Sequence, residues 1–172
     1  MAVSALLHWL AHSQLNELAS HTRWVFAAAQ AIHFMGLSVL LGAVTLLDLR
    51  ILGLARNVAI ARLFGLIPLA LVGFGVQLIT GVIMFSADPS RYWSNPGFRI
   101  KMLLIVLAGL NALWFWLLEH RRLQQLQPFT AAPPSAQVVA AISILVWILV
   151  IAFGRFLPYL DGIELRWLPS GL

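Results

Sequence analysis

Charged residues are scarce in this sequence. Only 10% of its 172 residues are Asp, Glu, Lys or Arg, whereas 61% are hydrophobic. A soluble domain carries about a quarter charged residues, because its surface must stay hydrated. The composition therefore excludes an ordinary soluble globule.

Charge is missing altogether from four long stretches. These uncharged stretches are Trp24–Leu47, Leu63–Ala87, Met102–Leu118 and Leu123–Gly154. A helix needs roughly 20 apolar residues to cross the hydrocarbon core, and only helices or closed barrels satisfy the backbone in lipid. The stretches are continuously apolar rather than alternating, which argues against barrel strands. The sequence predicts an all-α membrane four-helix bundle, with transmembrane helices at about 24–47, 63–86, 100–118 and 136–154.

The remaining segments complete a single membrane domain, 1–172. An interfacial amphipathic helix is predicted over 3–19, because its leucines share one arc while His8, His12 and Asn16 recur every four residues on the other side. Two prolines predict a non-helical turn between the second and third transmembrane helices. Residues 155–172 are expected to form a surface tail. Four crossings place both termini on the same side of the bilayer.

Cysteine is absent, which excludes disulfides, thiolate metal sites and cysteine nucleophiles. The sequence also lacks an HExxH motif, a phosphate-binding loop, a GxSxG motif and a carboxylate pair. We therefore expect a non-catalytic subunit rather than an enzyme. The net charge of +5 comes from basic residues near the predicted helix ends. That placement indicates contact with the lipid bilayer and no nucleic acid partner.

Each predicted helix carries a polar residue at a similar depth. Counted from the face that holds the termini, these residues lie roughly 13–17 Å inside the bilayer at 1.5 Å per residue. They are His33, Gln77, Asn111 and Ser143. Buried Gln, Asn and Ser commonly join helices by hydrogen bonds. An ionisable residue at this depth is functional by default, so His33 is either a hydrogen-bonded structural residue or a ligand for a cofactor or ion.

A haem iron can be held by one proximal histidine or by two axial ligands. The polar layer supplies one histidine, and His120 lies at the far end of the third helix. Because His33 is ionisable and deep, the sequence predicts a cofactor site, with haem b held by one histidine as the candidate, formed by His33 with Gln30, Gln77 and Asn111 around it. Alternatively, the chain handles a metal such as copper through His8, His12 and His21, whose imidazoles suit Cu²⁺. A purely structural assembly subunit is the third possibility.

Several motifs resemble those of a known family. They are Gln30-Ala31-Ile32-His33 followed by Gly36, Asp48–Gly53, Asn95–Lys101 and Leu110-Asn111-Ala112. Together they are similar to small bacterial four-helix integral membrane proteins of unknown function, distantly similar in layout to copper-resistance membrane subunits and b-type cytochromes. That family usually has Glu where this chain has Gln30, and often has His where this chain has Trp116.

The resemblance implies a bacterial inner membrane location. Other membrane or periplasmic protein subunits are the expected partners, and electron transport is the expected setting if the cofactor is haem. Basic residues number six on the face with the termini and five on the other, but the five are concentrated in two short loops. The positive-inside rule then favours a cytoplasmic location for these two loops and a periplasmic location for the termini.

Overall fold

The computed structural model describes residues 2–161, except for the side chains of residues 2–4, 6, 21 and 23. This described part is helical and contains no strand. The helices are α1 (Ala2–Ala11), α2 (Gln14–His21), α3 (Arg23–Ile51), α4 (Ile60–Leu63), α5 (Ile67–Ala87), α6 (Pro89–Ser94), α7 (Pro96–Trp114), α8 (His120–Gln124) and α9 (Pro134–Phe156). A 3₁₀ turn (Phe64–Leu66) joins α4 to α5, a π-helical turn (Phe115–Glu119) joins α7 to α8, and a 3₁₀ turn (Leu157–Tyr159) follows α9.

Four continuous helical stretches are long and apolar enough to cross a membrane. They are Trp24–Ile51, Ile60–Ala87, Pro96–Gln124 and Pro134–Tyr159. Large apolar side chains cover their outer surfaces, and Ile79 and Leu103 are 66% and 60% exposed. A surface of this kind is stable in lipid and not in water. The predicted four-helix membrane bundle is confirmed, and the chain is a multi-pass membrane protein.

The first transmembrane helix is longer than the sequence indicates. It was expected to end before the charged pair Asp48 and Arg50, but α3 continues to Ile51. Both side chains are buried, Asp48 at 7% and Arg50 at 2% exposure. They therefore face the packed interior at this end of the helix. Arg50 instead donates hydrogen bonds to the carbonyls of Val58 (2.6 Å) and Arg56 (3.2 Å) in the following loop.

The proline-containing turn between α5 and α7 also differs from the expectation, because it holds a short helix. Pro89 and Pro96 each occupy a first helical position, where the missing N–H has no partner to lose. Asp88 caps α6 by accepting from the Arg91 amide, and Asn95 caps α7 by accepting from the amides of Gly97 and Phe98. Proline thus starts both helices here instead of preventing them.

The N-terminal region contains two helices in place of the single helix expected over 3–19. The chain breaks at Ser13, whose hydroxyl donates to the Leu10 carbonyl and accepts from the Asn16 amide. Helix α2 packs against α3 and α5. The Asn16 side chain donates to the carbonyls of Ser86 (2.7 Å) and Ala87 (3.2 Å) at the end of α5. The N-terminal region is thereby attached to the bundle, and its position in the interface remains a prediction.

The four long helices are arranged in the order α5–α3–α9–α7. Helix α3 packs against α5 and α9, and α9 packs against α7. We call the end of the bundle where α3 and α7 begin the terminal face and the opposite end the loop face. Within residues 2–161, α5 and α7 do not pack against each other along their length.

Aromatic rings bridge α5 and α7 only near their ends. Phe85 stacks on Phe98 near the terminal face with ring centroids 5.3 Å apart. On the loop face Phe64, just before α5, meets Phe115 at 6.1 Å.

Helices α3 and α5 cross at two glycines. A Cβ atom on Gly73 would lie 2.8 Å from the backbone nitrogen of Leu40 and 2.9 Å from the carbonyl oxygen of Gly36. A Cβ atom on Gly36 would lie 2.7 Å from Cγ1 of Val76. Only glycine permits such an approach, as is common where membrane helices pack closely. The crossing fixes the two helices one turn from His33.

The end of α9 is tied to the α5–α7 connection on the terminal face. Arg91 donates to Oδ2 of Asp161 through Nε (2.7 Å) and Nη2 (2.5 Å), and Asn95 donates to Oδ1 of Asp161 (2.9 Å). These hydrogen bonds, first from Asn95 and then from Arg91, hold the pKa of the Asp161 carboxyl below its ordinary value. The ionised carboxylate thus joins two segments that are far apart in sequence.

Candidate functional site

His33 lies half-buried on α3 and contacts α5. Its Nδ1 atom is 2.8 Å from the hydroxyl oxygen of Thr80. The Gln77 side-chain amide donates to the backbone carbonyl of His33. A Cβ atom on Gly81 would be 3.7 Å from Cε1 of His33, so position 81 places no side chain against the imidazole. Contacts with Gln77, Thr80 and Gly81 of α5 therefore position His33 inside the membrane bundle.

The contacts of Thr80 indicate which nitrogen of His33 carries the proton. Its hydroxyl donates its single proton to the Val76 carbonyl, 2.6 Å away. The hydroxyl oxygen is then left to accept a hydrogen bond from Nδ1–H of His33. In its neutral form the imidazole therefore has its lone pair on Nε2. A histidine oriented in this way, with Nδ1–H donated to a second group, is the usual arrangement of an imidazole that ligates a metal.

Lys101 is the only lysine in the sequence. It lies on α7, more than one turn inside the helix, and is partly buried. Its Nζ atom would be 3.5 Å from a Cβ atom on Gly154 of α9. Lys101 therefore lies between α7 and α9 near the terminal face.

The polar residues that the sequence placed in one layer fall into two groups. His33 and Gln77 meet between α3 and α5, as described. Asn111 instead donates to the Val139 carbonyl (3.2 Å), so it joins α7 to α9. Ser143 of α9 faces Asp48, which lies fifteen positions beyond His33 on α3, toward the loop face. Gln30 is exposed and has no hydrogen bond to His33, whose partner is Thr80.

Comparison with known proteins assigns the chain to a family. A model of a family of unknown function, DUF6644, matches residues 6–160, which include all four transmembrane stretches. The chain belongs to the DUF6644 family. No curated protein and no solved structure matches it.

One residue of the DUF6644 chain that contacts His33 was not assigned to the site from the sequence. Thr80 lies three positions after Gln77, on the same side of α5, and this spacing is the signal that links it to His33. Lys101, which the sequence places at the start of the third helix, lies in the second turn of α7, because that helix begins at Pro96 instead of Ile100.

The histidines proposed to bind metal in this DUF6644 chain lie apart from His33. His8 and His12 stack with ring centroids 4.3 Å apart, and Nδ1 of His12 contacts the His8 carbonyl at 2.8 Å. His21 ends α2, and its side chain lies outside the described part. Among the described residues no three His, Asp or Glu side chains are grouped so that they could hold a metal ion.

A second set of buried polar groups lies toward the loop face. Glu119, at the end of the π-helical turn, is 2% exposed, and its Oε2 has no hydrogen-bond partner. Asp48 Oδ2 and His120 Nδ1 are likewise buried without one. His120 stacks on Trp116 at 4.2 Å and is close to Phe64 at 4.5 Å, so aromatic rings cover much of its imidazole. These groups are remote from His33 along the chain and along the bundle.

Proposed function

We propose that this DUF6644 protein is an integral membrane subunit that binds a redox cofactor through Nε2 of His33, with haem b as the candidate. The observation that supports this most directly is the hydrogen bond between Nδ1 of His33 and Thr80. It leaves the lone pair of Nε2 free in a part of the bundle that contains few other polar groups. Ionisable residues at membrane depth are typical of functional sites.

The surroundings of His33 fit a haem held by one histidine. Haem bound there would supply one-electron transfer. Gly81 leaves room beside the ring, and apolar side chains such as Ile32 and Val76 line a cavity between α3 and α5 that reaches Thr80. Among the described side chains no second histidine lies beside His33, because His120 belongs to the loop face and His8 and His12 belong to α1 and the turn after it. The proposal is therefore a haem that one histidine would hold.

The neighbouring residues have distinct tasks in this proposal. Thr80 fixes the tautomer and orientation of the imidazole. Gln77 holds the α3 backbone at His33 and so sets the position of the ring. Asn111 joins α7 to α9 and so stabilises that helix pair. Gln30, exposed one turn from His33, is the residue of the proposed site with the fewest supporting contacts.

The test is an absorption spectrum of the detergent-purified protein, expressed with an ample haem supply. We expect a Soret band in the wild type and its loss in His33→Ala. Thr80→Val removes the acceptor for Nδ1–H and should weaken haem binding about 10- to 100-fold, the usual cost of losing such an outer partner. Thr80→Ser should retain binding because it keeps the hydroxyl.

His12→Ala is the matched control, since it removes a histidine outside the bundle and should leave the Soret band unchanged. A wild-type protein that stays colourless after reconstitution with haem would contradict the proposal. So would a Soret band that survives in His33→Ala.

Copper handling through His8, His12 and His21 remains a second proposal, supported by the stacked pair of imidazoles on the N-terminal region. It predicts bound copper that a His8→Ala, His12→Ala double variant loses while His33→Ala retains it. Protein that carries neither haem nor copper would favour the third alternative, a structural assembly subunit. For all three we propose a bacterial inner membrane location, periplasmic termini and membrane or periplasmic protein partners.

A further inference from the structure

Gly81 differs from the two glycines at which α3 and α5 cross. Gly36 and Gly73 are required for packing, because a Cβ atom on either would come closer than 3.0 Å to an atom of the facing helix. Among the described residues, a Cβ atom on Gly81 would meet only Cε1 of His33 within 4 Å, at the ordinary contact distance of 3.7 Å. Helix packing therefore does not explain a glycine at position 81, where alanine would favour the helix more.

The space beside Gly81 is next to the free nitrogen of His33. Cε1 is bonded to both ring nitrogens, and Nδ1 is already held by Thr80. Nε2 makes no hydrogen bond with the described residues, and it is not fully buried. The further atoms of a larger side chain at position 81 would project away from α5, which at this point means toward the imidazole. Position 81 therefore controls how much room is left at Nε2.

We infer that Gly81 determines the size of the group that His33 can bind at Nε2. Glycine leaves room for a broad ligand, such as the macrocycle of a haem, and valine at this position would exclude it. A small group needs no such room and would reach Nε2 past either residue. The inference rests on the proposed function in taking His33 as the residue that holds a haem.

Haem titration of the detergent-purified full-length protein, followed by Soret absorbance, tests the effect on a broad ligand. We expect Gly81→Val to weaken haem binding at least about tenfold, because valine is stiff at χ1 and its overpacked side chain cannot turn away. Gly81→Ala should bind haem like the wild type, since its methyl group reaches only the ordinary contact distance. Gly75→Val is the matched control, because it places the same side chain on α5 where no described atom lies within 4 Å.

Nitrogen NMR of the cofactor-free protein separates exclusion of the ligand from displacement of the imidazole. In Gly81→Val the proton on Nδ1 of His33 should remain, because the hydrogen bond to Thr80 is kept. Equal haem affinity in the wild type and Gly81→Val would overturn the inference. An equal loss of affinity in Gly75→Val, or a changed tautomer in Gly81→Val, would do so too, since each would show a general effect on the bundle.

If the wild type binds no haem, the proposed function fails, and Gly81 is tested by two reagents that modify imidazole nitrogens. Diethyl pyrocarbonate is the small reagent and 4-bromophenacyl bromide is the broad one. Mass spectrometry of the peptide that contains residue 33 measures the rate of each reaction. Gly81→Val should slow the broad reagent at least about tenfold relative to the small one. Equal slowing of both reagents, or of neither, would overturn the inference.

Discussion

Gly73→Ala is expected to destabilise the bundle by about 2 kcal/mol or more, whereas Gly75→Ala is expected to leave it unchanged or slightly stabilised. The added methyl group at position 73 would lie 2.8 Å from the Leu40 nitrogen and 2.9 Å from the Gly36 oxygen. These are backbone atoms, which cannot rotate away. Helices α3 and α5 must therefore separate, and overpacking of this kind costs about 1–3 kcal/mol or more.

Gly75 is the control because nothing lies within 4 Å of the atom that alanine would add there. The two variants carry the same chemical change two positions apart on one helix. Unfolding with SDS in mixed micelles, followed by circular dichroism, measures the difference. Gly73→Ala should also weaken cofactor binding, because separation of the helices moves Thr80 away from His33. Equal stability of the two variants would show that the helices do not cross at this point.

Arg50→Met is expected to cost about 2–4 kcal/mol, although position 50 is remote from the proposed site. The guanidinium donates to two carbonyl oxygens of the loop that follows α3, and hydrogen bonds to charged groups contribute about 1.5–3 kcal/mol each. The same loop contains Gly53 at φ 105° and Ala55 at φ 48°. Loss of Arg50 leaves this strained loop without its internal anchor.

Arg62→Met serves as the comparison, because Arg62 belongs to the same connection but is exposed. It should change the free energy of unfolding by less than about 0.5 kcal/mol, as surface substitutions usually do. The loss of stability in Arg50→Lys should lie between those of Arg50→Met and Arg62→Met. An ammonium group lacks the planar fork by which the guanidinium reaches both carbonyls. If Arg50→Met unfolds at the same SDS fraction as Arg62→Met, the loop does not depend on Arg50.

The membrane bundle could be predicted from the sequence because lipid imposes one simple rule on it. Uncharged stretches of this length must be helices, and the four predicted helices lie within the four observed ones. Their ends were less predictable. Asp48 and Arg50 resemble the charged end of a transmembrane helix, but tertiary contacts bury both side chains. No local sequence pattern predicts that burial.

Contacts within the site could be predicted only for residues on two helices that are neighbours in the bundle. His33 and Gln77 lie at matching depths on α3 and α5, which are neighbours, and they do meet. Depth does not give the rotation of each helix or the order of helices in the bundle. Asn111 therefore contacts α9 instead of His33, and Ser143 faces Asp48. Thr80 contacts His33 because α3 and α5 are neighbours, and the spacing of apolar residues does not encode that order.

The account depends on an imidazole inside the membrane that keeps its Nε2 lone pair free. Nitrogen NMR of the protein labelled at histidine, with the signals of His33 assigned from His33→Ala, measures this directly in the cofactor-free protein. We predict a protonated Nδ1 and an unprotonated Nε2 for His33 in the wild type, with mixed tautomers in Thr80→Val. A proton found on Nε2 in the wild type would contradict the account.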